Sequence, residues 1–141
     1  ASALILYRGG WCPYCNIHLK KLKEIEAALK DMGFQIIAIS PDTPEKLGET
    51  RTEQELTYAV YSDFNMDVAK QLGVAYKMAP DKAERYAQGG IELVEQSLPV
   101  PSVFLVDEDG IIRFVHVDAN YKQRLKNDEL LKAAKAIRDS K

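Results

Sequence analysis

This chain has only two cysteines in 141 residues, Cys12 and Cys15, and only two residues separate them. A pair that close cannot form the multi-bridge framework of a small secreted scaffold, and a domain of this length does not need one. The pair is therefore read as chemistry first. Long hydrophobic runs are also missing. No apolar stretch approaches the roughly 18 residues of a membrane span, and no charged segment leads into an apolar signal core. The chain opens at Ala1 and is almost at once inside a strand, so an upstream segment is expected to have been removed. Neither charge dominates: 19 Lys and Arg against 21 Asp and Glu leave a formal net charge of -2. There is no block of like charges, which argues against nucleic acid and membrane partners. What is present, 46% hydrophobic and 28% charged residues, suits one globular domain over residues 1–141 with a real core, expected in the cytoplasm.

The short apolar runs give the order of elements. Ala3, Leu4, Ile5, Leu6 and Tyr7, bounded by Gly9-Gly10, read as a buried central strand. Pro13 suits a first helical position, which makes Cys12 the N-cap. Leu22, Ile25, Leu29 and Met32 then repeat at helical spacing until Gly33. Residues 34–40 read as a second buried strand, after which Pro41-Asp42-Thr43-Pro44 starts another helix with Thr43 as its cap. Residues 58–61 read as a strand, followed by a short helix capped by Asn65 and ended by Gly73. The stretch 74–98 is expected to be a surface insertion, with a helix from Pro80 through Tyr86. Residues 102–107 and 111–117 read as strands joined by a turn whose Gly110 suits a positive φ. A last helix, capped by Asn127 or Asp128, carries Leu130, Ala134 and Ile137 on one face. The order β-α-β-α, then β-β-α, with Cys-x-x-Cys at the first strand-helix junction is that of the thioredoxin fold. The expected fold class is therefore α/β, thioredoxin-like, a central mixed sheet flanked by helices.

Four stretches sharpen this to a family: Tyr7-Arg8-Gly9-Gly10-Trp11-Cys12-Pro13-Tyr14-Cys15, Ile39-Ser40-Pro41, the run from Leu98-Pro99-Val100-Pro101 through Phe104 to Asp107, and Val117-Asp118-Ala119-Asn120-Tyr121-Lys122-Gln123-Arg124. Over nearly its whole length the chain resembles the peroxiredoxin-like branch of the AhpC/TSA (redoxin) family. The resemblance implies that Val100-Pro101 is the cis-proline that faces the cysteine pair and guides substrate backbone. It also implies that this chain lacks the family's N-terminal hairpin. Peroxiredoxins of the family resemble Pro-x-x-x-Thr-x-x-Cys with a distant Arg. Aligning Cys15 on their peroxidatic cysteine puts Arg8 at the Pro, Cys12 at the Thr and Pro101 at the distant Arg.

Two orders of attack stay open for the pair. A helix N-terminus and a Cys-x-x-Cys partner bring a thiol from about 8.5 to roughly 3.5–7.5. Cys12, at the cap and expected to face solvent, then attacks a disulfide, and Cys15, on the stripe of Leu19, Leu22, Ile25 and Leu29, resolves it. This is thiol-disulfide exchange, the leading expectation. Alignment with peroxiredoxins reverses the roles: Cys15 is oxidised to a sulfenic acid by a hydroperoxide and Cys12 resolves it. A third expectation is a metal carrier using Cys12, Cys15 and one of His18 and His116. A purely structural disulfide is a weak alternative, because closing so short a loop stabilises by only about 2 kcal/mol before strain. The candidate site is thus Cys12 and Cys15 as catalytic residues, with Trp11, Val100 and Pro101 as substrate-binding residues. No cofactor or resident metal is called for. The partners implied are protein or small-molecule disulfides, hydroperoxides, an external thiol reductant and a second copy of the chain as a homodimer.

Overall fold

The computed structural model describes residues 1–91 and 93–140. Its frame is a five-stranded sheet in the order β3-β2-β1-β6-β7, made of β1 (Ser2–Leu6), β2 (Gln35–Ser40), β3 (Ala59–Ser62), β6 (Ser102–Val106) and β7 (Ile112–Val117). β1 runs parallel to β2 and antiparallel to β6, so Ile5 is flanked by Ala38 on one side and Val103 on the other. Two-residue periodicity sorts the strand side chains onto two faces. Ala3, Ile5 and Tyr7 join Ile36, Ala38, Val103 and Leu105 in one core, while Leu6, Ile39 and Phe104 join the other. Both faces of the three central strands are covered, which is why they read as continuous apolar runs.

The larger core is closed by α1 (Pro13–Lys23), α2 (Glu26–Asp31) and α6 (Asn127–Asp139) through Leu19, Leu22, Leu29, Leu130 and Ala134. α3 (Pro44–Glu53) adds Leu47 to it. The smaller core is covered by α4 (Asp67–Gln71) with Met66, Ala69 and Val74. The single helix expected from Pro13 to Met32 is two: the Glu24 and Ile25 amides bond three residues back, to Lys21 and Leu22, and this tightened turn divides α1 from α2. The apolar stripe continues across it because Ile25 stays buried.

Two expected caps are corrected. Asn65 does not cap α4; the Asp63 carboxylate accepts the Val68 and Ala69 amides at 3.0 Å each, supplying the charge that the helix start favours. At α6 the N-cap residue is Lys126, without a side-chain bond, and the Asn127 amide instead donates to Lys21 O at 2.8 Å, tying α6 to α1. Thr43 does cap α3, accepting the Lys46 amide. Within 74–98, where Glu92 lies outside the described residues, β4 (Ala75–Lys77) pairs antiparallel with β5 (Ser97–Pro99), and α5 (Pro80–Gln88) lies between them in sequence. No helix among the described residues is long and apolar enough to cross a membrane.

Candidate active site

The turn from β1 into α1 needs two glycines. At Gly9, with φ of +155°, a Cβ would run into the Trp11 ring, and at Gly10 it would meet the Thr50 hydroxyl. The Gly10 amide donates to Asp42 Oδ2 at 2.9 Å, and Ser40 Oγ donates to the same oxygen at 2.9 Å. Burial raises the Asp42 carboxyl above the usual range, against these hydrogen bonds. Asn16 Nδ2 closes the turn from the other side by donating to Gly10 O at 2.8 Å. β2 thus holds the loop that sets the dithiol in place.

Cys12 is the N-cap of α1, as Pro13 at the first helical position dictates, and its Sγ accepts the Cys15 amide at 3.4 Å. Its expected exposure is corrected: Cys12 is 1% exposed and Cys15 0%. The cap position directs the thiol at the helix end, but Cys12 belongs to the larger core together with Tyr7, Cys15 and Leu19. No disulfide joins the two thiols in this structure. The Cys12 thiol is pushed down to about 6, first by a hydrogen bond from the Cys15 thiol, then by the Cys15 amide and the positive charges of Arg8 and Arg124, with burial opposing. Cys15 is pushed far up, by burial first and then by donating its proton to Cys12. The pair therefore shares one negative charge at neutral pH, resting on Cys12.

Two arginines flank the pair. Arg8 is buried; its Nη2 donates to Tyr86 of α5 at 2.7 Å, and its guanidinium sits 5.0 Å from the Trp11 ring centre and 4.2 Å from that of Tyr121. Arg124, in the segment leading to α6, donates from Nη2 to Cys15 Sγ at 3.1 Å. Sequence reasoning noted Arg124 only as part of the stretch 117–124 and did not place it on the dithiol. Its signal was its membership of that stretch; its reach across 109 positions had none. Pro101 stands where the family's distant arginine is expected, and Arg124 brings the guanidinium to Cys15 from another element.

The remaining expected site residues divide. Val100 and Pro101 line a groove of about 910 Å³ with Arg8, Tyr76, Met78 and Tyr86. The Val100-Pro101 peptide is not cis, since no cis peptide occurs among the described residues. Backbone hydrogen bonds hold this connection extended on both sides: the Val100 amide donates to Val74 O at 2.7 Å, and Pro101 O accepts the Asp118 amide at 2.9 Å. Trp11 does not line this groove; it packs against Tyr86, ring centres 5.1 Å apart, and supports Arg8. A second groove, of about 430 Å³, opens on the Cys15 side between α1 and the segment before α6, where Tyr14, Ile17, His18, Lys21 and Arg124 meet Lys122 and Lys126. His18 is buried and held neutral, pushed down to about 3 by burial and by the charges of Arg124, Lys21 and His116. His116 pairs instead with Asp118 at 2.9 Å. Among the described residues no three His, Cys, Asp or Glu side chains cluster as metal ligands, so the metal-carrier expectation finds no third ligand.

A dithiol at the first strand-helix junction of a mixed sheet flanked by helices defines a thioredoxin-like redox domain. The particular family follows from comparison. The AhpC/TSA family profile matches residues 1–115, and the chain belongs to that family. It is 28% identical over 129 residues to peroxiredoxin Bcp of Escherichia coli, covering 89% of this chain and 72% of that one. It is 31% identical over 71 residues to a putative peroxiredoxin bcp of Haemophilus influenzae, a match spanning 50% of this chain and 46% of the relative. The fold is shared with the crystal structure of peroxidoxin BcpB from Mycobacterium tuberculosis, with a TM-score of 0.75 at 19% identity over 96% of this chain and 79% of that one.

Proposed function

We propose that this chain reduces hydroperoxides, with Cys15 as the attacking sulfur and Cys12 as base and resolving thiol. The observation that carries this reading is the contact of 3.1 Å between Arg124 Nη2 and Cys15 Sγ. A guanidinium there favours negative charge on Cys15 and offers donors to the oxygens of a peroxide as the O–O bond breaks. The resting charge on Cys12 fits the same scheme. Cys12 takes the Cys15 proton through the hydrogen bond they already share; the Cys15 thiolate then attacks the terminal oxygen. An S–O bond forms, the O–O bond breaks, and the alkoxide leaves as the alcohol with a proton drawn from solvent, Cys12 keeping the one it took from Cys15. Cys12 then attacks the Cys15 sulfenic acid, releasing water and leaving an intramolecular disulfide for an external thiol to reduce. The family membership and the peroxiredoxin names of the relatives support this order over a purely disulfide-directed one.

A second reading, thiol-disulfide exchange led by Cys12, is favoured by one observation, the N-cap thiol pushed down to about 6. Single-cysteine variants separate the two. Under the peroxidase reading Cys15→Ser abolishes peroxide consumption, while Cys12→Ser, having lost the base as well as the resolving thiol, makes a single slowed turnover and leaves a trappable sulfenic acid. Arg124→Gln is expected to slow consumption by on the order of a hundredfold. Peroxide consumption by wild-type protein no faster than by free cysteine, with disulfide reduction lost in Cys12→Ser, would overturn it in favour of exchange.

A further inference from the structure

The groove on the Cys15 side has a charge pattern that the peroxidase scheme does not use. Lys21, Lys122, Arg124 and Lys126 line it and no carboxylate does, while Ile17 and Leu125 give it apolar walls. The chain as a whole has a net charge of -2, so this concentration of cations is local. Its polar wall is also unsatisfied. His18, 6% exposed, lines the groove with its Nε2 lacking a hydrogen-bond partner, and Arg124 Nε is buried and unpartnered. Buried donors and acceptors left open in this way cost about 1–3 kcal/mol each unless something completes them. A site walled by cations and two apolar side chains, backed by two buried polar atoms that lack partners, fits a small organic anion.

We infer that this groove binds a low-molecular-weight thiol carrying a carboxylate, which reduces the Cys12-Cys15 disulfide by attacking Cys15 Sγ. Arg124 lines the groove and donates to Cys15 Sγ, so a single side chain stands between the groove and the dithiol. The leaving group agrees with this direction. Attack on Cys15 expels Cys12, which no longer has a Cys15 proton to accept but keeps the Cys15 amide and the charges of Arg8 and Arg124 to favour its thiolate, and a stabilised thiolate leaves faster. The bookkeeping of atoms is complete: the incoming thiolate forms a mixed disulfide with Cys15 as the Cys12–Cys15 bond breaks, and a second thiolate with one proton releases the small disulfide and restores the Cys15 thiol. The inference rests on the pair cycling through a disulfide, which both readings of the preceding section share.

The test starts from protein oxidised with diamide, so it needs no peroxidase activity. Reduction is followed in stopped flow through the fluorescence of Trp11, the chain's one tryptophan, with 3-mercaptopropionate, 2-mercaptoethanol and cysteamine as probes, each rate normalised to its thiolate fraction and intrinsic nucleophilicity. The expected result is a preference for the mercaptocarboxylate over the neutral thiol on the order of tenfold at low salt, with cysteamine slowest, shrinking as salt rises. Lys21→Gln with Lys126→Gln is expected to remove most of that ratio, while Lys135→Gln, outside the groove, leaves it. Equal normalised rates, a preference unchanged in the double variant, or failure of the disulfide to form would each overturn the inference. Peroxide consumption measured separately shows whether the peroxidase reading stands or falls on its own.

Discussion

Removing the Cys15 thiol tests the charge sharing most directly. The largest single cause of the lowered Cys12 value is the hydrogen bond donated by Cys15. A hydrogen bond to a charged group contributes about 1.5–3 kcal/mol, and one pKa unit is about 1.36 kcal/mol. Cys15→Ala is therefore expected to raise Cys12 from about 6 by roughly one to two units. At pH 7 its ionised fraction then falls from about nine-tenths to between about one-half and one-tenth. Cys15→Ser retains a hydroxyl donor at the same place and is expected to keep most of the lowering. The assay is thiolate absorbance against pH, paired with the pH dependence of iodoacetamide alkylation, in all three proteins. A Cys12 titration that stays within about 0.3 units in Cys15→Ala would refute the assignment and place the lowering on the helix end and the arginines alone.

The same shift predicts how stability follows pH. The folded Cys12 value near 6 lies below the ~8.5 of an unfolded thiol, so between the two the unfolded chain binds more protons and the reduced protein gains stability as pH rises. The gain, about 3 kcal/mol at most, is lost as pH falls through 6. Denaturant midpoints at about pH 5.5 and about pH 8 check it against Cys12→Ser, and parallel curves for the two proteins contradict it. Gly10→Ala is expected to destabilise by about 1–3 kcal/mol through the clash with Thr50, and Thr50→Ala in the same chain to recover most of the loss; additive urea midpoints argue against that contact. Tyr58→Phe removes the buried hydroxyl that donates to Leu19 O at 2.7 Å and is expected to cost about 1 kcal/mol, read by thermal unfolding.

Much of the frame was legible because its signals are local. The unbroken apolar run Ala3, Leu4, Ile5, Leu6 and Tyr7 gives a strand covered on both faces, and Pro13 after Cys12 gives a helix whose cap is a thiol. Pro44 after Thr43 and Gly110 at φ of +79° follow from the same short-range chemistry. Where a cap came from elsewhere, local reading failed: Asp63 serves α4 from before the turn, and Lys126 opens α6 while Asn127 reaches to α1.

The sequence by itself determined a dithiol at the start of a helix after a central strand, since spacing and proline geometry need no tertiary contact. Tertiary structure alone decided that Cys12 is buried, that Arg124 sits on Cys15 and that Tyr86 holds Arg8. These pairs are 109 and 78 positions apart in sequence. Their meeting depends on how the segment before α6 and α5 pack against the turn into α1, and no periodicity or capping rule reaches that far.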